Sequence, residues 1–221
     1  DTNLVVRQGA LGVVNAVGST FIAMALLPLF ESFFSFTTSI TLLELSDLNH
    51  PLLKRLAIEA PGTYHHSLVL SSLTEAAAKA VGANPLLARV GTYYHDIGKM
   101  EISEYFVENQ FGVKSRHDEL APSMSALVIV SHIKRGRELA EEYDLPDRII
   151  EFIQEHHGTS LISYFYNKAK ELRANGEMSE AEFRYPGPKP RSKETAILMI
   201  ADSVEAASRT LDDPKPSRIR S

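Results

Sequence analysis

From residue 8 to residue 30 the chain carries no charged side chain, and from Leu42 onward apolar and charged positions recur at helical spacing. The first stretch, bounded by Arg7 and Glu31, is long enough to cross a bilayer as a helix, which takes about 20 residues. Gly9, Gly12, Gly18 and Pro28 weaken a helix in water but are ordinary in a membrane helix. A buried core helix or a disordered leader is the competing reading. A cleaved signal is disfavoured, because its basic region is a single Arg and no small-x-small site follows. Phe30 to Leu45, with Phe33, Phe34 and Phe36, reads as an amphipathic connector.

Seven helices are predicted beyond it. Asp47 or Asn49 with Pro51 starts the first, carrying Leu52, Leu53 and Leu56, and Pro61-Gly62-Thr63 breaks it. A second runs from Tyr64 to Val81, where Gly82 ends it. Asn84-Pro85 opens a third, which places His95 and Asp96 near its end with Gly98 as the exit. Residues 97–120 read as a long loop with one helical turn near Tyr105 to Val107. Pro122 starts a helix that holds His132 and ends near Tyr143, and Leu145-Pro146 opens one that leads to His156-His157-Gly158. Residues 160–173 form the next, a second loop covers 174–192, and Ser192 and Glu194 cap a last helix, Thr195 to Thr210, containing Asp202. No repeat and no strand run is evident, so the fold class is all-α. The expected organisation is the end of a membrane region with its connector at 1–41, a helical domain at 42–212 and a tail at 213–221.

Composition narrows the chemistry. Without cysteine, disulfides, thiolate metal sites and a cysteine nucleophile are excluded. A net charge of −5 gives no polyanion-binding surface, and the absence of Trp leaves no obvious stacking platform, so a nucleic-acid polymer is not expected as a partner. Any phosphate chemistry must draw positive charge from a local source. Eight histidines exceed casual usage. Adjacent residues on a helix point about 100° apart, so His95-Asp96 and His156-His157 are poor chelators of one ion from one face. A carboxylate has two oxygens and can bridge two ions, whereas an imidazole offers one nitrogen. Asp96 is therefore the candidate bridge and the histidines are candidate terminal ligands.

His66, His95-Asp96 and Asp202, in that order, resemble the H…HD…D signature of the HD-domain phosphohydrolases. Ala60-Pro61-Gly62-Thr63-Tyr64-His65-His66-Ser67, Tyr93 to Lys99, Glu108-Asn109-Gln110, Gln154 to Gly158 and Phe183 to Lys189 resemble the seven-transmembrane HD receptor family. That resemblance covers roughly residues 25–210 and implies an HD-domain helical bundle after a last membrane helix, at the cell membrane with the HD domain cytoplasmic. It implies a phosphodiesterase that hydrolyses a cyclic dinucleotide, cyclic di-AMP first, to linear pApA through a hydroxide bridging two divalent ions, Mn or Fe. His66, His95, Asp96 and Asp202 would hold one ion, and Asp96, His132, His156 and His157 the other. Two divalent ions, two carboxylates, a hydroxide and one phosphodiester then sum to neutrality.

Lys99 is a candidate catalytic or phosphate contact, and Arg184, Tyr185 and Lys189 are candidate contacts for phosphate or base. For each the plainer reading is a solvated lysine or a structural Pro-Gly turn. His65 reads as a structural neighbour of His66, and His50 and His117 as surface or loop residues. The chain departs from the family where proline and basic residues usually follow the HD step, having Met100-Glu101-Ile102-Ser103-Glu104 instead. No Gly-Tyr-Pro motif follows that step, which argues against the cyclic di-GMP branch. The alternatives are another nucleotide substrate, cyclic di-GMP or a guanosine alarmone, and an idle nucleotide-binding sensor. The sequence leaves homodimerisation open.

Overall fold

The structure is a computed structural model that describes residues 2–34, 37–110, 114–172 and 179–209, and the chain divides into two units, 1–38 and 39–221. The first unit is the helix α1 (Thr2–Phe34). Its stretch Thr2–Leu27 is long and apolar enough to cross a membrane, and none of that stretch is buried. The connector expected from Phe30 to Leu45 is instead the end of α1 followed by a short helix, α2 (Ser39–Leu45), which belongs to the second unit and buries Leu42 and Leu45. Phe36 and the side chains of Phe33 and Phe34 lie outside the described residues.

Prolines open four helices of the second unit, each at a first-turn position where the missing N–H costs nothing: α3 (Pro51–Glu59), α4 (Pro61–Ala80), α5 (Pro85–Tyr94) and α6 (Pro122–Glu142). Pro61-Gly62-Thr63 therefore starts α4 rather than merely ending α3. The cap of α3 is His50, whose Nδ1 accepts from Leu52 N at 3.3 Å, and neither Asp47 nor Asn49 takes that place. Helices α7 (Asp147–Glu155), α8 (Ser163–Leu172) and α9 (Lys193–Arg209) complete the set. Ser192 Oγ accepts from Thr195 N as a cap, but Glu194 reaches across to accept from Asn84 N, joining the start of α9 to the start of α5. Helix α8 begins three residues later than expected. Ile162 N donates to Phe183 O and Tyr185 N to Ser160 O, so this stretch pairs in extended form with 183–185. Thr210 and the tail 213–221 lie outside the described residues, as do 173–178 of the second loop.

The stretch 97–120 is more ordered than its polarity suggests. It forms three 3₁₀ segments, Ile97–Tyr105, Val107–Asn109 and Arg116–Glu119, with 111–113 outside the described residues. His117 is buried there, its Nε2 donating to Tyr105 O at 2.9 Å, so it is not a surface residue.

The core gathers Leu52, Leu53 and Leu56 of α3, Leu70 of α4, Val90 and Tyr94 of α5, and Ile149, Phe152 and Ile153 of α7. Each such fully buried side chain contributes on the order of 2 kcal/mol. Tyr94 OH donates to Leu45 O at 2.9 Å, which fixes the last turn of α5 to α2. A smaller cluster, Ala126, Phe165, Tyr166, Ala169 and Phe183, packs α8 and the second loop against α6. Gly98 is not a helix stop, because α5 has already ended at Tyr94. It permits a backbone-to-backbone approach: a Cβ there would run into His132 O and the main chain of Gly136 on α6. Gly98→Ala should lower the unfolding free energy by about 1–3 kcal/mol through overpacking. A urea titration checks this, and an unchanged midpoint would contradict the contact.

Candidate metal centre

The step after α5 creates the centre. His95 keeps helical backbone angles, but Asp96 (φ −112°, ψ 16°) leaves the helix. His66 comes from the early turns of α4 and His132 from mid-α6. His156 and His157 stand at the end of α7, where Gly158 (φ +53°) supplies the left-handed exit, and Asp202 comes from α9. Five helices thus contribute seven residues that the chain scatters over more than a hundred positions.

All seven meet. Asp96, His132, His156 and His157 form one group able to hold a metal ion, and His66, His95 and Asp202 a second, with ligand atoms within 4.8 Å of one another in each. Asp96 lies between them. Its Oδ2 is 3.2 Å from His95 Nε2 and 4.0 Å from His66 Nε2, while its Oδ1 is 3.5 Å from Nε2 of both His132 and His156. Asp202 divides similarly, with Oδ1 3.2 Å from His66 Nε2 and Oδ2 3.8 Å from His157 Nδ1.

Backbone bonds fix the ring faces. Nδ1 of His95 lies 2.7 Å from Thr92 O, that of His132 lies 2.6 Å from Ile129 O, and that of His156 lies 3.0 Å from Phe152 O and Ile153 O. A carbonyl oxygen only accepts, so each Nδ1 carries the proton and a neutral ring presents a bare Nε2 inward. His132 Nε2 and His156 Nε2 then face each other at 3.3 Å. Among the described residues, His95 Nε2 and Asp96 Oδ1 are buried without a hydrogen-bond partner. Converging lone pairs of this kind, taken out of water, are costly unless a cation sits among them. The donor set of imidazole nitrogen and carboxylate oxygen suits a divalent transition metal.

Electrostatics agree. Burial pushes His132 down to about 3, and burial with His156 and His132 holds His157 well below its ordinary value. Both rings are therefore neutral near pH 7, the form that binds metal. Asp96 stays ionised despite burial, with the Lys99 cation against its Oδ2. Lys99 Nζ lies 2.7 Å from Asp96 Oδ2 and 2.8 Å from Glu108 Oε1, which raises its pKa against the cost of burial.

A cavity of about 500 Å³ opens on the centre. Lys99 and Tyr185 line it with His66, His132, His157 and Asp202. Tyr185 stacks on His157 with ring centroids 4.1 Å apart at 24°. The chain pairing of 183–185 with 160–162 sets it there. Arg184 does not line the cavity. It is exposed and donates to Thr159 O and Glu180 Oε2, and the exposed Lys189 is also absent from the lining. His65 is exposed, with its side chain on the outer face of α4.

The sequence reading gave no role to Phe106, Glu108 or Glu205, which also line the cavity. Glu108-Asn109 clasps the start of α4: Asn109 Oδ1 accepts from Thr63 N at 3.1 Å, Asn109 Nδ2 donates to Thr63 Oγ1, and Thr63 Oγ1 donates to Glu108 Oε1 at 3.2 Å. Gly62 admits this, since a Cβ would strike Glu108 O. The buried Glu155, beside the histidine pair, accepts from Arg191 N and Thr195 Oγ1 and so pins the start of the helix that carries Asp202.

Comparison with known proteins follows the same lines. The HD domain family profile matches residues 63–207. The cyclic-di-AMP phosphodiesterase PgpH of Bacillus subtilis is 49% identical over 209 residues, covering 95% of this chain and 29% of that protein. Its namesake from Listeria monocytogenes is 48% identical over 202 residues, covering 91% and 28%. The chain thus spans under a third of the length of these relatives. The crystal structure of the L. monocytogenes PgpH HD domain in complex with cyclic-di-AMP superposes with a TM-score of 0.74, at 50% identity over 79% of this chain and 80% of that one.

The neutral histidines give the metal-free protein an acid sensitivity. On unfolding, His132 and His157 return to about 6.5, so the unfolded chain binds more protons between that value and the folded one. Stability then falls as pH drops below about 6.5, by up to about 1.4 kcal/mol per pH unit for each ring. His66 acts in the opposite sense, since Asp202 and Asp96 overcome its burial and raise its pKa. Two rings outweigh one. The urea midpoint of chelator-treated protein should fall between pH 6.5 and 4.5, and His132→Asn should flatten that slope. A midpoint that holds or rises on acidification would contradict the neutral assignment.

Proposed function

Given that the chain belongs to the HD-domain family, whose members are metal-dependent hydrolases, we propose that this unit is a two-metal phosphodiesterase opening cyclic di-AMP to linear pApA. The observation that carries the reading is the division of Asp96, one oxygen toward each ligand group, behind His66, His132, His157 and Asp202 in the wall of a cavity sized for a nucleotide. Half-identity to an HD domain solved with cyclic-di-AMP supports the substrate.

His66, His95, Asp96 and Asp202 would hold one ion, and Asp96, His132, His156 and His157 the other; imidazole and carboxylate donors favour Mn or Fe. Bound ions supply Lewis acidity and a water of lowered pKa for in-line attack on phosphorus. The protein's own part is positional. Carbonyl bonds lock His95, His132 and His156 with Nε2 inward, so no reorganisation is needed as charge develops. Lys99 keeps Asp96 ionised and in place, and its buried cation adds positive potential at the cavity wall beside the phosphodiester. Tyr185 holds the His157 ring by stacking and offers its hydroxyl and ring face to the nucleotide. No substrate contact is assigned to Arg184 or Lys189. We place α1 in the cell membrane, with the HD domain on the cytoplasmic side.

Mn-loaded protein incubated with cyclic di-AMP should release pApA, followed by chromatography. Tight nucleotide binding without turnover would replace this reading with that of an idle sensor. Asp96→Ala should cut the rate by a factor of about a thousand or more, as expected when a charge-organising group is removed from the reacting centre, and should leave one bound ion or none. Two ions and a near-normal rate in that variant would overturn the shared role of Asp96.

A further inference from the structure

Three of the inward-facing histidines owe their orientation to carbonyls of their own helical turn: His95 to Thr92, His132 to Ile129 and His156 to Phe152 and Ile153. For His66 the structure records a different neighbour at the outer nitrogen. Its Nδ1 lies 3.4 Å from Glu205 Oε2, while its Nε2 faces Asp202 Oδ1 at 3.2 Å and Asp96 Oδ2 at 4.0 Å. Asp202 and Glu205 are three residues apart on α9 and so share a face of that helix. The two carboxylates bracket one imidazole, the first on its ligand nitrogen and the second on the nitrogen behind it. Helix α9 packs on α4, which keeps this bracket in register.

We propose that Glu205 is a positioning residue for His66: its carboxylate accepts the Nδ1–H and so keeps Nε2 bare and aimed at the ion shared with His95 and Asp202. The inference rests on the two-metal reading and goes one step beyond it. An imidazole with its proton on Nε2 binds no metal through that atom, so whatever takes the Nδ1 proton selects the binding tautomer. A carboxylate is a stronger acceptor than the carbonyls that serve the other rings. It therefore adds basicity to the His66 ligand and negative charge near the ion without entering its coordination sphere. Glu205 also lines the cavity, with about a fifth of its side chain exposed (21%), so its truncation leaves the core intact.

Titration of the metal-free protein with Mn alone, in competition with a chromophoric chelator, tests this directly. Wild type should bind two ions per chain. Glu205→Ala should weaken one site about 10–100-fold, the usual effect of removing such a partner, and leave the other unchanged. Glu205→Gln retains an oxygen acceptor and should stay within about threefold of wild type, a rescue that simple loss of packing would not give. Urea midpoints of the metal-free variants, expected to match wild type, separate a folding defect from a ligand defect. Equal affinity and stoichiometry in wild type and Glu205→Ala would overturn the proposal while leaving the two-metal reading intact. A loss in Glu205→Gln as large as in Glu205→Ala would overturn it too, making Glu205 a direct ligand. Wild type that binds no Mn would remove the two-metal reading itself.

Discussion

Lone pairs directed at one another are the constraint on which this domain turns. Nε2 of His132 and His156, Nε2 of His95 and Oδ1 of Asp96 converge within a few ångströms of one point, and the helices allow them no retreat. A carbonyl holds the far side of each of these three rings. Buried acceptors without donors are among the least tolerated arrangements in a folded protein. Their presence here marks a place where local stability has been given up for the capacity to bind cations. The surrounding hydrophobic core, from Leu52 through Phe152 to Leu198, supplies the stability that such a centre withholds.

Compensation spreads outward from Asp96 in a chain. Lys99 neutralises it, Glu108 shares the lysine, and Thr63 with Asn109 ties Glu108 to the first turn of α4, the helix that carries His66. A second chain runs from Glu155 through Thr195 to α9 and so reaches Asp202. Both ligand groups are thus held by polar contacts, the first chain running along the cavity wall through Lys99 and Glu108 and the second behind it through the buried Glu155. The cavity wall is mixed. Phe106 and Ile129 give it apolar surface, Tyr185 a ring face, and Lys99 its cation, a composition suited to a ligand with planar bases and a phosphate.

Much of this was legible in the sequence, for identifiable reasons. Helix starts were readable because Pro51, Pro85 and Pro122 fall at first-turn positions, and the seven candidate ligands through the resemblance of their motifs to the HD-domain phosphohydrolases. What escaped was long-range or backbone in origin. Pro61-Gly62-Thr63 looked like a break because the partner that satisfies Thr63 N, Asn109, lies 46 residues away. The polar stretch after Asp96 read as a loop because its 3₁₀ turns are short and carry no apolar period. His117 gave no sign of burial, since its packing against Tyr105 and Phe165 arises only in the folded chain. Glu205 was readable in principle, three residues past Asp202 on the same helical face. Arg184 and Lys189 stood out as cations near a Pro-Gly turn, but charge in a sequence carries no direction, and neither residue lines the cavity.

Gly98 and Gly136 have a meaning for how such a centre can change over generations or under a designer's hand. Where α6 meets the turn after Asp96, main chain rests on main chain with no side chain between. The spacing from Asp96 to His132 is therefore set by peptide groups, whose dimensions are the same in every protein, and not by residues that substitution can enlarge or trim. Repacking the surroundings leaves that spacing where it is. Metal preference in this scaffold is open to revision through the identity of the ligand atoms and the groups behind them, while the spacing of Asp96 from His132 is closed to gradual adjustment.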